Sequence, residues 1–499
     1  MKERFKKDNC RFSFASAFEK LFILWLIAGL WLSCRPEINK TEIEAPNSSV
    51  ANTKTNALTE DSLYISWKEH LIDDVTISGA DLSGSDGLEM ADLDGDGYED
   101  IVSVHESDTE YDGALEGNIR IAFGTKDPNI WELISLATGE VAAAAEDVSL
   151  SDINGDGHID VLIACELAHI VYFQNPGQNQ RQSTWKYIIP KITTDRGSFI
   201  RVYAADLNGD RKDEIIVANK GDQANDGSKP VRTGPSPISF FEIVGDPLVD
   251  SSWVEHELLK MKLPVNAMPI DIDNDGDIDI IGGSRGERRI VLFENISDPN
   301  GFQFKEYPIS INGLDSTSYV TGFSMVFLDV NEDNKLDIIL GENFVNLIAL
   351  VQPPGFDQPW EIKRIGTTKP DWVAGLALAD INSDGYSDIV IGGYSRGPRD
   401  HDGDVPLDSP LGRLSWFENP KSTNKNWIRH DISRRVRGMF DGFESRDLDG
   451  DGDLDLISTR GNSVPYDGVF WLEQLRSVES TKAFIPARKE ESKEVSLPD

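Results

Sequence analysis

The chain has 499 residues and a formal charge of −38, from 86 Asp and Glu against 48 Lys and Arg. An acidic excess of this size excludes a nucleic-acid partner, which requires clustered positive charge. Three cysteines, Cys10, Cys34 and Cys165, cannot build a disulfide framework.

Lys2, Arg4, Lys6 and Lys7 precede an apolar run at residues 21–32. A basic start followed by a run too short to cross a bilayer is the pattern of an export signal, so residues 1–33 are expected to be a signal peptide. Trp31-Leu32-Ser33-Cys34 resembles a bacterial lipobox. That resemblance implies cleavage before Cys34 and lipidation of its thiol. The mature chain would then be extracytoplasmic and lipid-anchored to a bacterial membrane, most simply the outer one. Residues 34–61 are rich in Thr, Asn, Glu and Ser and are expected to form a flexible tether.

Beyond a solitary strand-like run, Trp67-Lys68-Glu69-His70, one acidic loop recurs seven times. Oxygen side chains stand at its positions 1, 3, 5 and 9. In the first three copies these are Asp92, Asp94, Asp96 and Asp100; Asp152, Asn154, Asp156 and Asp160; Asp206, Asn208, Asp210 and Glu214. The fourth and fifth carry Asp271, Asp273, Asp275 and Asp279; Asp329, Asn331, Asp333 and Asp337. The last two carry Asp380, Asn382, Asp384 and Asp388; Asp447, Asp449, Asp451 and Asp455. Hard oxygens at alternate positions of a tight turn suit Ca²⁺, so up to seven structural calcium ions are expected. An EF-hand is excluded, because position 12 is never Glu: it is Ser103, Ile163, Val217, Gly282, Leu340, Ile391 and Ser458. The ninth-position acid is expected to close the shell instead. The third loop has Arg211 and the fifth Asn334 where the others have glycine, which predicts weaker sites.

The loops recur every 51 to 67 residues, and each is followed by short β-branched and aromatic runs. That period suits one four-stranded unit, and radial repetition of such units is a β-propeller. The last unit lacks a fourth strand, and the run at Trp67 supplies one. The expected fold is therefore all-β, a seven-bladed propeller over residues 62–475 whose last blade is closed by the N-terminal strand. Residues 476–499 are expected to be a disordered charged tail. The loops and the strands after them resemble FG-GAP/VCBS repeats of integrin-α-like propellers.

The resemblance implies that the calcium loops lie on one face and that the tips of the second strands ring a funnel on the other. Five residues past each ninth acid stand His105, Cys165, Asn219, Ser284, Glu342, Gly393 and Arg460. One further on stand Glu106, Glu166, Lys220, Arg285, Asn343, Tyr394 and Gly461. Two long insertions point to the same face, residues 222–237 with Lys229 and Arg232, and residues 395–413 with Arg396, Arg399, Asp400, His401 and Asp402. His70, His256 and His430 share a place on outer strands and are expected to be structural, and His158 sits in a calcium loop. That leaves His105, His169 and His401 for proton transfer.

No Ser–His–Asp order, phosphate loop, zinc motif or dinucleotide fingerprint is present. The endings Phe417-Glu418-Asn419-Pro420 and Phe173-Gln174-Asn175-Pro176, each followed by a tryptophan-led strand, resemble the propeller of aldos-2-ulose and anhydrofructose dehydratases. That resemblance implies a lyase that eliminates water from acidic or unsaturated oligosaccharides. Elimination needs a base, a proton donor and a cation for the developing enolate. His105, His169 or His401 would be the base, and Glu166, Tyr394 or Tyr111 the donor. Lys220, Arg285, Glu342, Asn343, Arg396 and Arg460 would bind substrate, with a further divalent cation in the funnel as another means of holding the anion. The alternative is a non-catalytic surface module binding glycan or protein, with Trp372, Tyr319, Phe440 and Tyr394 stacking on sugar. A purely structural adhesion propeller is a third reading.

Overall fold

The structure is a computed structural model that describes residues 49–107, 115–182, 184–221, 234–299, 301–422 and 425–498. The expected signal peptide, Cys34, the tether up to residue 48, Tyr111, Lys229 and Arg232 lie outside the described residues.

The sequence period is the blade. In blade one, strand A is Ser85–Ala91, B is Asp100–His105, C is Asn118–Phe123 and D is Glu132–Thr138. Seven such antiparallel sheets follow one another. Each strand A contacts strand A of the next blade all the way round, so the ring is closed and the A strands line its axis. B strands are buried on both faces because each blade is sandwiched between two others. Ile101, Val102 and Val104 in blade one, and Ile215, Ile216 and Val217 in blade three, are at most 1% exposed. They therefore read as continuous apolar runs with no alternation.

The seventh blade closes as expected. Tyr64–Asp74 pairs antiparallel with Gly468–Ser477, setting Trp67 opposite Gln474 and Asp74 opposite Gly468. No blade then exposes an inter-blade edge left by a missing strand.

Both chain ends depart from expectation. The segment after residue 476 is ordered: Phe484–Ile485 adds a parallel fifth strand outside Tyr64–Asp74, and Phe484 and Val495 are buried. Its charges are used inside the fold, since Glu491 and Glu494 both reach Arg435 at 3.1 Å. The later part of the expected tether is packed as well. Ala51 and Ala57 join the core around Trp67 and Trp416. Small apolar residues scattered among polar ones carry no periodic signal, and this is why composition suggested loose chain at both ends.

The C strands end in a staple. Asn175 Nδ2 donates to Leu93 O of the preceding blade's loop at 2.9 Å and to Ile159 O of its own at 3.0 Å. Asn295 repeats this on Leu207 and Ile278, and Gln352 reaches Ile272. Asn175 and Asn295 thus have an architectural role between blades, while Asn419 Nδ2 donates within its own blade to Ser387 O.

Candidate functional site

On one face the acidic loops share a backbone fold. The N–H of position 6 donates to the first aspartate, as Gly157 does to Asp152 at 2.8 Å and Asn334 to Asp329 at 2.7 Å. Arg211 and Asn334 take positive φ of 70° and 65°, so the turn survives without glycine at a cost of about 1 kcal/mol each. Three loops gather three carboxylates with one oxygen each within 4.8 Å: Asp92, Asp94 and Asp96; Asp271, Asp273 and Asp279; Asp447, Asp449 and Asp451. The other four loops have Asn154, Asn208, Asn331 and Asn382 at position 3, an amide oxygen in place of a carboxylate.

The ninth acids are buried and bracket the loop to the end of strand C. Asp100 accepts from Leu93 N at 2.8 Å and Gly124 N at 2.9 Å. Asp388 does the same with Ile381 and Asn419. Burial pushes Asp100 up to about 7 and Asp388 to about 8, with neighbouring aspartates adding to the rise. A carboxylate oxygen has two lone pairs, so these bonds leave capacity for an ion. Clustered hard oxygens with raised proton affinity fit a cation such as Ca²⁺. Loop one differs, because Arg181 already lies 2.6 Å from Asp94 and 2.7 Å from Asp96.

On the axis lies a cavity of about 350 Å³ to which all seven blades contribute. Its wall has two layers. The upper layer comes from the B-strand tips, and Glu106, Glu166, Lys220, Arg285 and Tyr394 stand there as counted from the sequence. In blade five the next residue, Phe344, lines the wall instead of Asn343. The lower layer was not anticipated. It comes from residues six before the first aspartate in six of the seven loops: Asp86, Glu146, Ile200, Phe323, Ala374 and Asp441. In the first five of these blades' A strands the pairing with strand B slips at this point, as between Ser85 and Leu88 and between Ala145 and Asp147. A bulge re-aims a side chain, here toward the axis. Counting backward from each loop would have found the layer.

The wall divides into three sectors. Asp86, Glu106, Glu146, Glu166 and Asp441 make an acidic one on blades seven, one and two. Lys220 and Arg285 make a basic one on blades three and four. Phe323, Phe344, Trp372 and Tyr394 make an aromatic one on blades five and six. Trp372 stacks between Phe344 at 5.4 Å and Tyr394 at 6.2 Å, and Arg396 lies over its ring at 4.7 Å. Lys220 is buried against Glu166. Burial lowers it to about 8, against the attraction of Glu146. Asp86 is pushed well above the usual carboxylate range by burial, then by Glu106 and Glu146.

The histidines are elsewhere. His105 is fully buried between Ser85 Oγ at 2.7 Å and Ser103 Oγ at 3.0 Å, and burial drives its pKa down to about 3. His169 is buried and donates through Nε2 to Val141 O at 3.1 Å. His401 is exposed beside Asp400. None of the three lines the cavity. Nor do three expected substrate contacts: Glu342 pairs with Arg364, Asn343 bonds Ser318, and Arg460 is sealed against Glu69 and Glu491. The outer-strand histidines are structural. His70, His256 and His430 each stack on a C-strand aromatic, Trp471, Phe240 and Trp416, and each meets a C-strand glutamate.

An FG-GAP-like repeat matches at residues 92–163, 152–217 and 271–340. No curated protein matches the chain. Among solved structures, YCF48 from Cyanidioschyzon merolae is similar at 10% identity and a TM-score of 0.44, covering 82% of this chain and 98% of that one. The chain is a seven-bladed β-propeller, three of whose repeats match an FG-GAP-like repeat.

Proposed function

We propose that the axial cavity is a carbohydrate site and that it eliminates water from an acidic sugar. The division of its wall into acidic, basic and aromatic sectors carries this reading. An aromatic face such as Trp372 suits the apolar face of a pyranose. Arg285, held over Phe323 at 5.2 Å, is placed to pair with a carboxylate. Lys220, with its pKa near neutrality, is a base suited to removing the proton beside that carboxylate. The C–H pair would form the new C=C bond as the β-hydroxyl leaves. Tyr394, whose phenol faces the same cavity, would give that hydroxyl its proton, so it departs as water.

We propose in addition that the acidic loops hold Ca²⁺, up to seven ions, and that lipidated Cys34 tethers the propeller to a membrane. The deciding experiment incubates the mature chain with saturated and unsaturated acidic oligosaccharides and follows mass. Loss of one water, abolished by Lys220→Met, supports the lyase. The aromatic stack on Trp372 equally favours a glycan-binding module. Saturable binding with no mass change at any protein concentration would decide for that module.

A further inference from the structure

The acidic sector has a feature that sugar recognition leaves unexplained. Asp86, Glu106 and Glu146 are all buried, and one oxygen of each lies within 4.8 Å of the others. They come from three places, the A strands of blades one and two and the B-strand tip of blade one, so no single turn forces them together. Asp86 is 3% exposed, and its Oδ2 has no hydrogen-bond partner. A fourth carboxylate faces the same cavity. Asp441 has a 5% exposed side chain, accepts from Arg201 Nη2 at 3.0 Å through Oδ2, and leaves Oδ1 without a partner. Two orphaned acceptors in one buried acidic pocket call for a ligand that supplies positive charge without needing acceptors in return.

Protons alone answer this poorly, because a shared proton draws two carboxylates into direct hydrogen-bond contact and Asp86 Oδ2 has none. Oxygens bound to one hard cation at ~2.1–2.5 Å stand ~3–5 Å from each other, and the three oxygens here lie within 4.8 Å of one another. We propose that Asp86, Glu106 and Glu146, with Asp441 beside them, bind one divalent hard cation of the Mg²⁺, Mn²⁺ or Ca²⁺ class on the propeller axis. The site is separate from the seven acidic loops, which lie on the other side of each strand A. An all-carboxylate donor set excludes a preference for soft metals. The proposal rests on the sugar-site reading only for the ion's use: such a cation would hold a sugar carboxylate or enolate opposite Lys220. Binding itself stands apart from turnover.

Crystals of the mature chain soaked in Mn²⁺ test it by anomalous scattering, with no substrate present. A peak between Asp86, Glu106 and Glu146 is expected. Peaks in the loops with none on the axis would overturn the site. Metal content after dialysis against Mn²⁺ gives the second measurement. Glu146→Gln combined with Asp86→Asn should lose one ion per chain and keep its melting transition, whereas Asp273→Ala should lose a loop ion and keep the axial one. An unchanged count in the folded double variant overturns the proposal, and if that variant does not fold the wild-type anomalous map decides. A bound axial ion without sugar turnover would leave the site standing and remove the lyase.

Discussion

Arg435 Nη2 donates to Glu69 Oε2 at 2.8 Å, joining the last strand of blade six to the N-terminal strand that closes blade seven. Arg460 takes the other oxygen of Glu69 at 2.9 Å, and Glu491 of the C-terminal segment meets both arginines. The two ends of the chain are therefore locked by one buried ionic cluster rather than by strand pairing alone.

That cluster has a pH signature. Burial raises Glu69, but Arg435 and Arg460 outweigh it and bring the pKa from its ordinary 4.5 to about 2. A depressed carboxylate contributes stability that is full above its unfolded value and is lost as pH falls through the folded one. The contribution is about 3 kcal/mol and should disappear between about pH 4.5 and pH 2. Glu69→Gln should lower stability at pH 7 by a similar amount and flatten the acid limb of the unfolding curve. Denaturant titrations from pH 2 to pH 7 check this, and parallel curves for the two proteins would refute it.

Closure needs both termini. Deleting residues 62–75 removes the fourth strand of blade seven and exposes Trp471 and Phe470, so the thermal transition should collapse. Ending the chain at residue 478 removes the fifth strand and Glu491. Arg435 and Arg460 are then left with fewer counter-charges in a buried place, which costs about 3 kcal/mol. Scanning calorimetry of both truncations reads the result, and a tail deletion that melts like the full mature chain would mean the tail is ornament.

Metal removal should act through the loops. Binding to the folded state alone adds about 2.7 kcal/mol per site at a hundredfold excess of Ca²⁺ over Kd. Chelation should therefore lower the melting temperature markedly. Asp273→Ala, which breaks a three-carboxylate cluster, should lower it more than Asp206→Ala, whose loop has Asn208 at position 3 and Arg211 in the turn. Arg181→Ala should tighten Ca²⁺ at loop one, since the guanidinium that spans Asp94 and Asp96 no longer competes. Calcium titrations by calorimetry separate these three effects.

The fold was legible because its cause is local and repeated. Seven in-phase loops set the blade count, and the orphan strand at Trp67 announced the closure. The upper ring of the cavity was legible too, since strand B is regular and residues can be counted along it from Asp100 or Asp160. His105 was misplaced by the same counting. It ends strand B of blade one, but alternation turns it into the sheet toward Ser85 and Ser103, while Glu106 turns to the axis. Asp86 and Glu146 were missed for a different reason. Their direction depends on bulges in the A strands, and a bulge leaves no mark in hydrophobic periodicity. Arg460 read as a surface base because its partners, Glu69 and Glu491, are hundreds of residues and about thirty residues away in sequence, and only closure of the ring brings them together.

Lys220 and His105 offer the sharpest test of the cavity chemistry, because their expected effects on turnover are opposite. Lys220 faces the cavity with its pKa lowered to about 8 by burial. As a base it works only when neutral, so turnover of an acidic oligosaccharide should rise with pH through about 8 and then level. Lys220→Met should remove turnover. Stability should fall as well, by about 3 kcal/mol, because Glu166 is left buried without its partner. His105→Ala should spare turnover. It leaves the Ser85 and Ser103 hydroxyls without their partner and opens a void beneath blade one, at a cost of about 2 kcal/mol, while turnover per folded molecule persists. Rates across pH 6–10, normalised to the folded fraction of each variant, distinguish the two residues. A His105→Ala protein that folds fully and has lost all turnover would return the histidine to the reaction and displace Lys220 from it.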